Sequence, residues 1–200
     1  MTTGYGSAVR TGETRAGDTV VVMGVGGVGI NAVQGARIAG ARNVIALDPV
    51  AYKRDRAPEF GATHVAASVD EAWSLVNELT GGEMANVCVI ATDTTEGSYL
   101  AQALSLVGKR GRVVVTAVPH PTETSAQISL FDLFAYEKQV RGSLFGSSNP
   151  RSDILQLWSL YDSGQLKLDE LITREYSLED INQGYDDMLS GVNLRGLIRY

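Results

Sequence analysis

Cysteine and histidine are almost missing from this 200-residue chain: Cys88 stands alone, and His64 and His120 are the only imidazoles. A lone thiol excludes an internal disulfide and fits a reducing compartment, so a cytoplasmic location is expected. The same scarcity argues against a Cys/His zinc site within the chain, and the carboxylates show no ligand spacing either. Positive charge is also in deficit. A net charge of −6 disfavours nucleic acid or a membrane surface as the main partner, since both are polyanionic and select basic patches. The one acid-poor basic stretch, Arg141 to Arg151, is too sparse to change that. Long apolar runs are lacking too. Val20–Val33 is broken by glycines and too short to span a bilayer, and Met1–Arg10 has no sustained apolar stretch of the kind a secretion signal needs. With 44% hydrophobic and 20% charged residues, the balance is that of an ordinary globular protein, enough for one ample domain with a modest appendage.

What is present is rhythm. Short Val/Ile-rich runs at Thr19–Met23, Asn43–Leu47, His64–Ala66, Val87–Ile90, Arg112–Val118 and Gln139–Leu144 read as strands. Helix-like segments lie between them at Val28–Ala39, Ala51–Phe60, Val69–Thr80 and Ser98–Val107, with Gly40, Gly61, Gly81 and Gly108 where elements should stop. Strands alternating with helices imply βαβ units: an α/β fold with a doubly wound, parallel, six-stranded Rossmann sheet. After Asn149-Pro150 the texture changes. A helix over Asp153–Tyr161, an extended piece at Leu171–Tyr176, a helix over Ser177–Leu189 with a Ser177/Asp180 capping box, and a last strand Arg195–Tyr200 do not continue the repeat. The expected division is therefore 1–145, a dinucleotide-binding domain, and 146–200, a separate segment.

Gly24-Val25-Gly26-Gly27-Val28-Gly29 matches G-x-G-x-x-G, and it follows a strand and opens a helix, which is the context the fingerprint requires. Gly24 permits the tight turn, Gly26 lets the backbone approach a pyrophosphate, and Gly29 lets the helix pack against the sheet. Roughly twenty residues further on, at the end of the next strand, Asp48 is placed to accept hydrogen bonds from ribose hydroxyls and to repel a 2′-phosphate. That favours NAD over NADP, although Lys53 and Arg54 are cations nearby. The blander alternative is a plain βα turn with Asp48 as a strand-end cap. S-adenosylmethionine enzymes and flavoproteins share the turn, but Ala91-Thr92-Asp93-Thr94 stands where a methyltransferase would carry its polar-aromatic motif.

Thr3-Gly4-Tyr5-Gly6-Ser7-Ala8, Gly17–Val22, the glycine turn and Glu59-Phe60-Gly61-Ala62-Thr63 together resemble the zinc-type medium-chain alcohol dehydrogenases. Asn31–Ala36, Asp48-Pro49-Val50-Ala51, Gly146–Pro150 and Gly164–Thr173 are similar to one branch, the actinobacterial nicotinoprotein alcohol dehydrogenases assayed with nitrosodimethylaniline. The resemblance implies hydride transfer from an alcohol to nicotinamide, giving an aldehyde or ketone, with NAD(H) held tightly and reoxidised by a redox carrier such as mycofactocin. It implies that Gly26, Gly27 and Val28 bind pyrophosphate, that Asp48 binds ribose, and that Lys53 and Arg195 lie on the adenosine and phosphate side. It also puts Thr3, Thr116, Val118, Ser143 and Phe145 at nicotinamide-contacting positions, mostly through backbone groups.

The departures from the family are as informative. The family's catalytic zinc ligands and its four-cysteine site would all precede Met1, so a zinc-bearing domain is expected to be absent, and this chain alone is expected to bind NAD without turning over alcohol. Cys88, His64 and His120 match no ligand. Residues 146–200 correspond to the segment that returns to the missing domain and should expose apolar surface. Strand 139–144 is the expected edge for a homodimer. Two rivals remain open: a non-catalytic NAD-binding, redox-sensing module, and a zinc-free quinone or enoyl reductase of the same superfamily.

Overall fold

Thr-Val-Val-Val-Met at β1 (Thr19–Met23) is β-branched almost throughout, and all five residues are buried. Such a strand must lie at the centre of a sheet covered on both faces. The computed structural model describes all residues, Met1–Tyr200. It places β1 between β2 (Asn43–Leu47) and β4 (Ala85–Ile90), in a six-stranded parallel sheet of order β3-β2-β1-β4-β5-β6. The remaining strands are β3 (His64–Ala66), β5 (Val107–Val115) and β6 (Gln139–Gly142). The order reverses between β1 and β4, and open α/β sheets bind ligands at the carboxyl ends of the strands there. This is the doubly wound sheet expected from the strand rhythm.

Alternation along each strand builds two cores. Val20, Val22, Val44, Ala46, Val87, Val89 and Val114 face α2 (Gly29–Ile38) and the helices beside it. Val21, Met23, Ile45, Leu47, Cys88, Ile90 and Val113 face α4 (Val69–Thr80) and α5 (Gly97–Leu106). Cys88 is fully buried on that second face, and burial pushes its thiol pKa up.

Several boundaries differ from the sequence reading. Thr2–Gly6 forms helix α1 and continues as a π-helical turn, Ser7–Thr11, where only a motif was read. Segment 51–60 is not one helix: α3 (Ala51–Arg56) tightens into a 3-10 turn at Pro58. Strand β5 starts at Val107 because α5 runs straight into it, so Gly108 is not a stop. Its register with β4 jumps from Ala85/Val107 to Val87/Arg112, accommodating an excursion through Arg110 at φ 60°. The strand ends at Val115, three residues short of Val118. Helix α6 (Leu130–Ala135), capped by Ser129, lies in a stretch left unassigned.

Beyond the sheet, α7 (Pro150–Asp162) begins three residues before the expected start, because Asn149 caps it and Pro150 occupies the first turn. β7 (Ile172–Ser177) and β8 (Arg195–Arg199) pair in parallel as a separate two-stranded sheet around α8 (Ile181–Leu189). The expected capping box does not form. Ser177 still belongs to β7, and its hydroxyl donates to the Asp180 carboxylate (2.7 Å) rather than receiving an amide. Leu155, Trp158, Met188 and Leu189 on these helices are exposed.

Candidate functional site: a glycine turn between two cations

The β1–α2 turn is closed on one side and open on the other. Gly24 has φ +82°, and a Cβ there would come within 2.8 Å of the Thr92 backbone on the turn after β4. A Cβ on Gly29 would lie 1.8 Å from the Gly24 carbonyl oxygen. Both positions admit only hydrogen. Gly26 and Gly27 are different. Nothing of the protein comes nearer to a Cβ on Gly26 than Lys53 Nζ, at 3.9 Å. For Gly27 the neighbours are Leu194 O at 3.5 Å and the Arg195 guanidinium at 3.6 Å. The backbone N–H groups of Gly26, Gly27, Val28 and Gly29 donate to no protein acceptor, and no side chain caps α2. Four unspent amides, a helix N-terminus, the Lys53 ammonium and the Arg195 guanidinium thus lie together at one turn, a donor set that suits a phosphate-bearing ligand.

Asp48 is buried at the end of β2, and both of its oxygens are already engaged. Oδ2 accepts from Val25 N and Oδ1 from Val50 N, each at 2.9 Å. The carboxylate therefore ties the glycine turn to the β2–α3 loop. These bonds agree with the blander reading of Asp48 as a strand-end cap, and each oxygen keeps a further lone pair. Arg54 does not reach outward: its Nη1 donates to the Asp48 carbonyl (2.7 Å).

The candidate nicotinamide-side residues follow the ends of β5 and β6. Thr116 N–H donates to Ile90 O (3.1 Å), and the Thr116 hydroxyl is shut from solvent without a partner. Val118, two residues on, is exposed. Ser143 is buried, its hydroxyl is spent in a chain with Ser7 (3.1 Å) and Thr11 (2.9 Å), and its N–H donates to Val115 O (2.9 Å), which leaves its carbonyl oxygen. Phe145, Gly146 and Ser147 all have positive φ (49°, 73° and 49°). Their tight bend brings them against α1, where a Cβ on Gly146 would sit 2.6 Å from Thr3 O. Thr3, Ser143 and Phe145 are thus gathered at one rim; the glycine turn, Asp48, Lys53 and Arg195 form the other.

His64 opens β3, half-buried, and His120 lies on an exposed loop; each is bonded through Nδ1 to a threonine hydroxyl. No three His, Cys, Asp or Glu side chains of this chain come together as a group that could hold a metal ion. No helix is long and apolar enough to cross a membrane.

A polar cluster that sequence reading missed lies in the β7–β8 unit. Asp187 accepts from Tyr176 Oη (2.7 Å), Gln183 Nε2 (2.8 Å) and Arg174. These bonds, Tyr176 first, hold its carboxyl below the usual carboxylate range. A depressed folded-state pKa stabilises the unit fully above the ordinary carboxylate value and is lost as pH falls through the lower, folded one. Amide hydrogen exchange of α8 and β7 should therefore accelerate on acidification below the ordinary range, and Asp187→Asn should remove that component of the pH dependence.

Residues 27–163 match the family described as zinc-binding dehydrogenase. The chain is 50% identical over 198 residues to the NDMA-dependent alcohol dehydrogenase of Amycolatopsis methanolica, covering 99% of this chain and 53% of that protein. To alcohol dehydrogenase B of Mycobacterium tuberculosis it is 46% identical over 200 residues, covering 100% and 53%. Among solved structures, benzyl alcohol dehydrogenase from Acinetobacter calcoaceticus superposes with a TM-score of 0.90 at 29% identity, covering 98% of this chain and 53% of that one. The chain thus spans about half the length of the relatives it matches. With a six-stranded doubly wound sheet, a glycine turn at its switch point and a family match over most of its length, the chain belongs to the zinc-binding dehydrogenases.

Proposed function

We propose that this chain is the NAD-binding part of an alcohol dehydrogenase that moves hydride between an alcohol and the nicotinamide ring. The observation that carries the reading is the set of four unspent amides at Gly26–Gly29 flanked by Lys53 and Arg195. In this reading those groups grip the pyrophosphate and Asp48 orients the adenosine ribose. The backbone around Thr116–Val118, Ser143–Phe145 and Thr3 borders the nicotinamide. Bound there, NAD supplies the hydride acceptor. NAD is favoured over NADP because Asp48 is a buried carboxylate at the ribose position and Arg54 is turned back onto its own loop. The zinc chemistry of the intact enzyme has no ligand set here and is assigned to the half of the relatives that this chain does not span.

The finer elements of the reading have their own support. Residues 1–145 act as the dinucleotide domain and 146–200 as the return segment, whose exposed Leu155 and Trp158 suit a surface packed on further protein. β6 pairs only with β5, leaving a free edge with Val140 partly exposed, so a homodimer through 139–144 is the proposed assembly. Turnover with a bound cofactor calls for a redox carrier of the mycofactocin kind, as the likeness to an NDMA-dependent enzyme supports. A cytoplasmic location belongs to the same reading, and cell fractionation tests it.

Calorimetry with NAD, NADP, adenosine and S-adenosylmethionine tests the core claim. NAD should bind far more tightly than the other three. Binding of S-adenosylmethionine in place of NAD would refute it. Lys53→Met should weaken NAD by about tenfold, the scale of one charge-assisted hydrogen bond, and flatten the salt dependence of binding.

A further inference from the structure

Arg195 reaches the glycine turn from a strand outside the main sheet, and nothing holds its side chain there. It is exposed and makes no ion pair or side-chain hydrogen bond within the protein. A free guanidinium on a long stem samples many rotamers, so its aim depends on where its main chain is anchored. That main chain is anchored on both sides of Arg195. Before it, Asn193 is buried and its Nδ2 donates to Tyr176 Oη (3.1 Å). Leu194 N donates to Thr173 Oγ1 (2.9 Å), while the Leu194 side chain enters the core beneath the turn. After it, Gly196 presses so closely on the Tyr176 ring that a Cβ would lie 2.7 Å from Cε2. Tyr176 thus touches the chain both before and after Arg195.

The Tyr176 hydroxyl has one proton and spends it on Asp187 Oδ2, leaving its oxygen to accept from Asn193. The direction of this relay is set by Asp187, which as a carboxylate can only accept. Asp187 sits on α8, so the path runs from helix to strand to the Asn193–Gly196 bend, and from there to the turn at residues 24–29. Asp187, the Tyr176 hydroxyl and Asn193 Nδ2 are each paired along it, and a buried chain of such bonds favours one geometry.

We infer that Tyr176, oriented by Asp187, is a positioning residue that fixes the Asn193–Gly196 bend and so presents Arg195 to a diphosphate held at Gly26–Gly27. The inference rests on the reading of that turn as the pyrophosphate site. It adds that dinucleotide affinity is controlled by two residues that touch no ligand and lie in the C-terminal unit.

A double-mutant cycle on the full chain tests it, with NAD as ligand and adenosine, which lacks the diphosphate, as control. Arg195→Ala should weaken NAD by at least about tenfold. Tyr176→Phe should weaken NAD by about threefold to tenfold and leave adenosine unchanged. In the Arg195→Ala background the Tyr176→Phe change should cost nothing more. Asn193→Ala, which leaves the Tyr176–Asp187 bond in place, should behave as Tyr176→Phe does and serves if the tyrosine variant fails to fold. An Arg195→Ala variant with unchanged NAD affinity would overturn the pyrophosphate reading itself. If Arg195→Ala weakens NAD but the Tyr176 and Asn193 effects are absent, or persist undiminished without Arg195, or fall equally on adenosine, the positioning role is overturned while the binding site stands.

Discussion

Gly29→Ala should unfold the turn, whereas Gly26→Ala, three residues away, should spare the fold and weaken NAD binding. At Gly29 the added methyl would stand 1.8 Å from a backbone carbonyl oxygen, and that carbonyl belongs to Gly24, itself wedged against Thr92. No side chain can swing aside, so β1 and α2 must part. Overpacking of this kind costs about 3 kcal/mol or more, which for a chain of this size lowers the melting temperature by roughly 10 °C. At Gly26 the backbone does not adopt a positive φ, and the nearest atom is the movable tip of Lys53, at 3.9 Å. Alanine is sterically free there and reduces unfolded-state entropy, so the melting temperature should hold or rise slightly. The same methyl occupies the space through which phosphate oxygens would reach the amides, and NAD affinity should fall by about tenfold to a hundredfold. Differential scanning calorimetry beside NAD titration separates the two variants. A Gly26→Ala protein that binds NAD normally would place the diphosphate elsewhere.

Asp48 carries the second large effect, on stability and on cofactor choice together. Asp48→Ala leaves the buried Val25 amide without an acceptor, at about 1–3 kcal/mol, and strands the half-buried Val50 amide at a smaller cost because water can reach it. The melting temperature should fall in proportion, and NAD binding should fall with it. Asp48→Asn is the sharper probe. Its amide oxygen can still accept from one of the two N–H groups, so part of the turn survives, while the negative charge is gone. The proposed preference for NAD over NADP should then narrow, since repulsion of a 2′-phosphate requires the charge. Equal NAD:NADP ratios in wild type and Asp48→Asn would mean that this carboxylate is only a brace.

The glycine turn was legible in the sequence because backbone sterics demand it: a strand that doubles back into a helix within van der Waals contact of itself leaves no room for Cβ. The sheet was legible for a similarly local reason, since strands buried on both faces must be continuously apolar. What escaped depends on packing between distant parts. Thr-Thr-Gly-Tyr-Gly has little helix propensity, and α1 exists because Gly4 lets it lie on the start of α2, 2.0 Å separating a hypothetical Cβ from Val28 O. The position of Asp48 could be read, but not its bonds to Val25 and Val50, which follow from the turn's three-dimensional path. Arg195 was placed through family resemblance, because no spacing rule links residue 195 to residue 27. Tyr176, Asp187 and Asn193 gave no signal at all, since three polar residues separated by loops have no periodicity. The supposed capping box failed for the opposite reason. Its spacing was correct, but β7 had already claimed Ser177.

Leu194, sunk beneath the bend it helps to complete, sets an order of events during synthesis. The six strands need residues 19–142 and can assemble while the ribosome is still adding the rest. The roof over the bend, made by Leu194 and its neighbouring guanidinium, is added from residues that emerge after all six strands of the sheet. In the proposed reading, a nascent protein can therefore own a finished sheet and still be unable to retain a nucleotide, so that cofactor capture follows sheet formation rather than accompanying it.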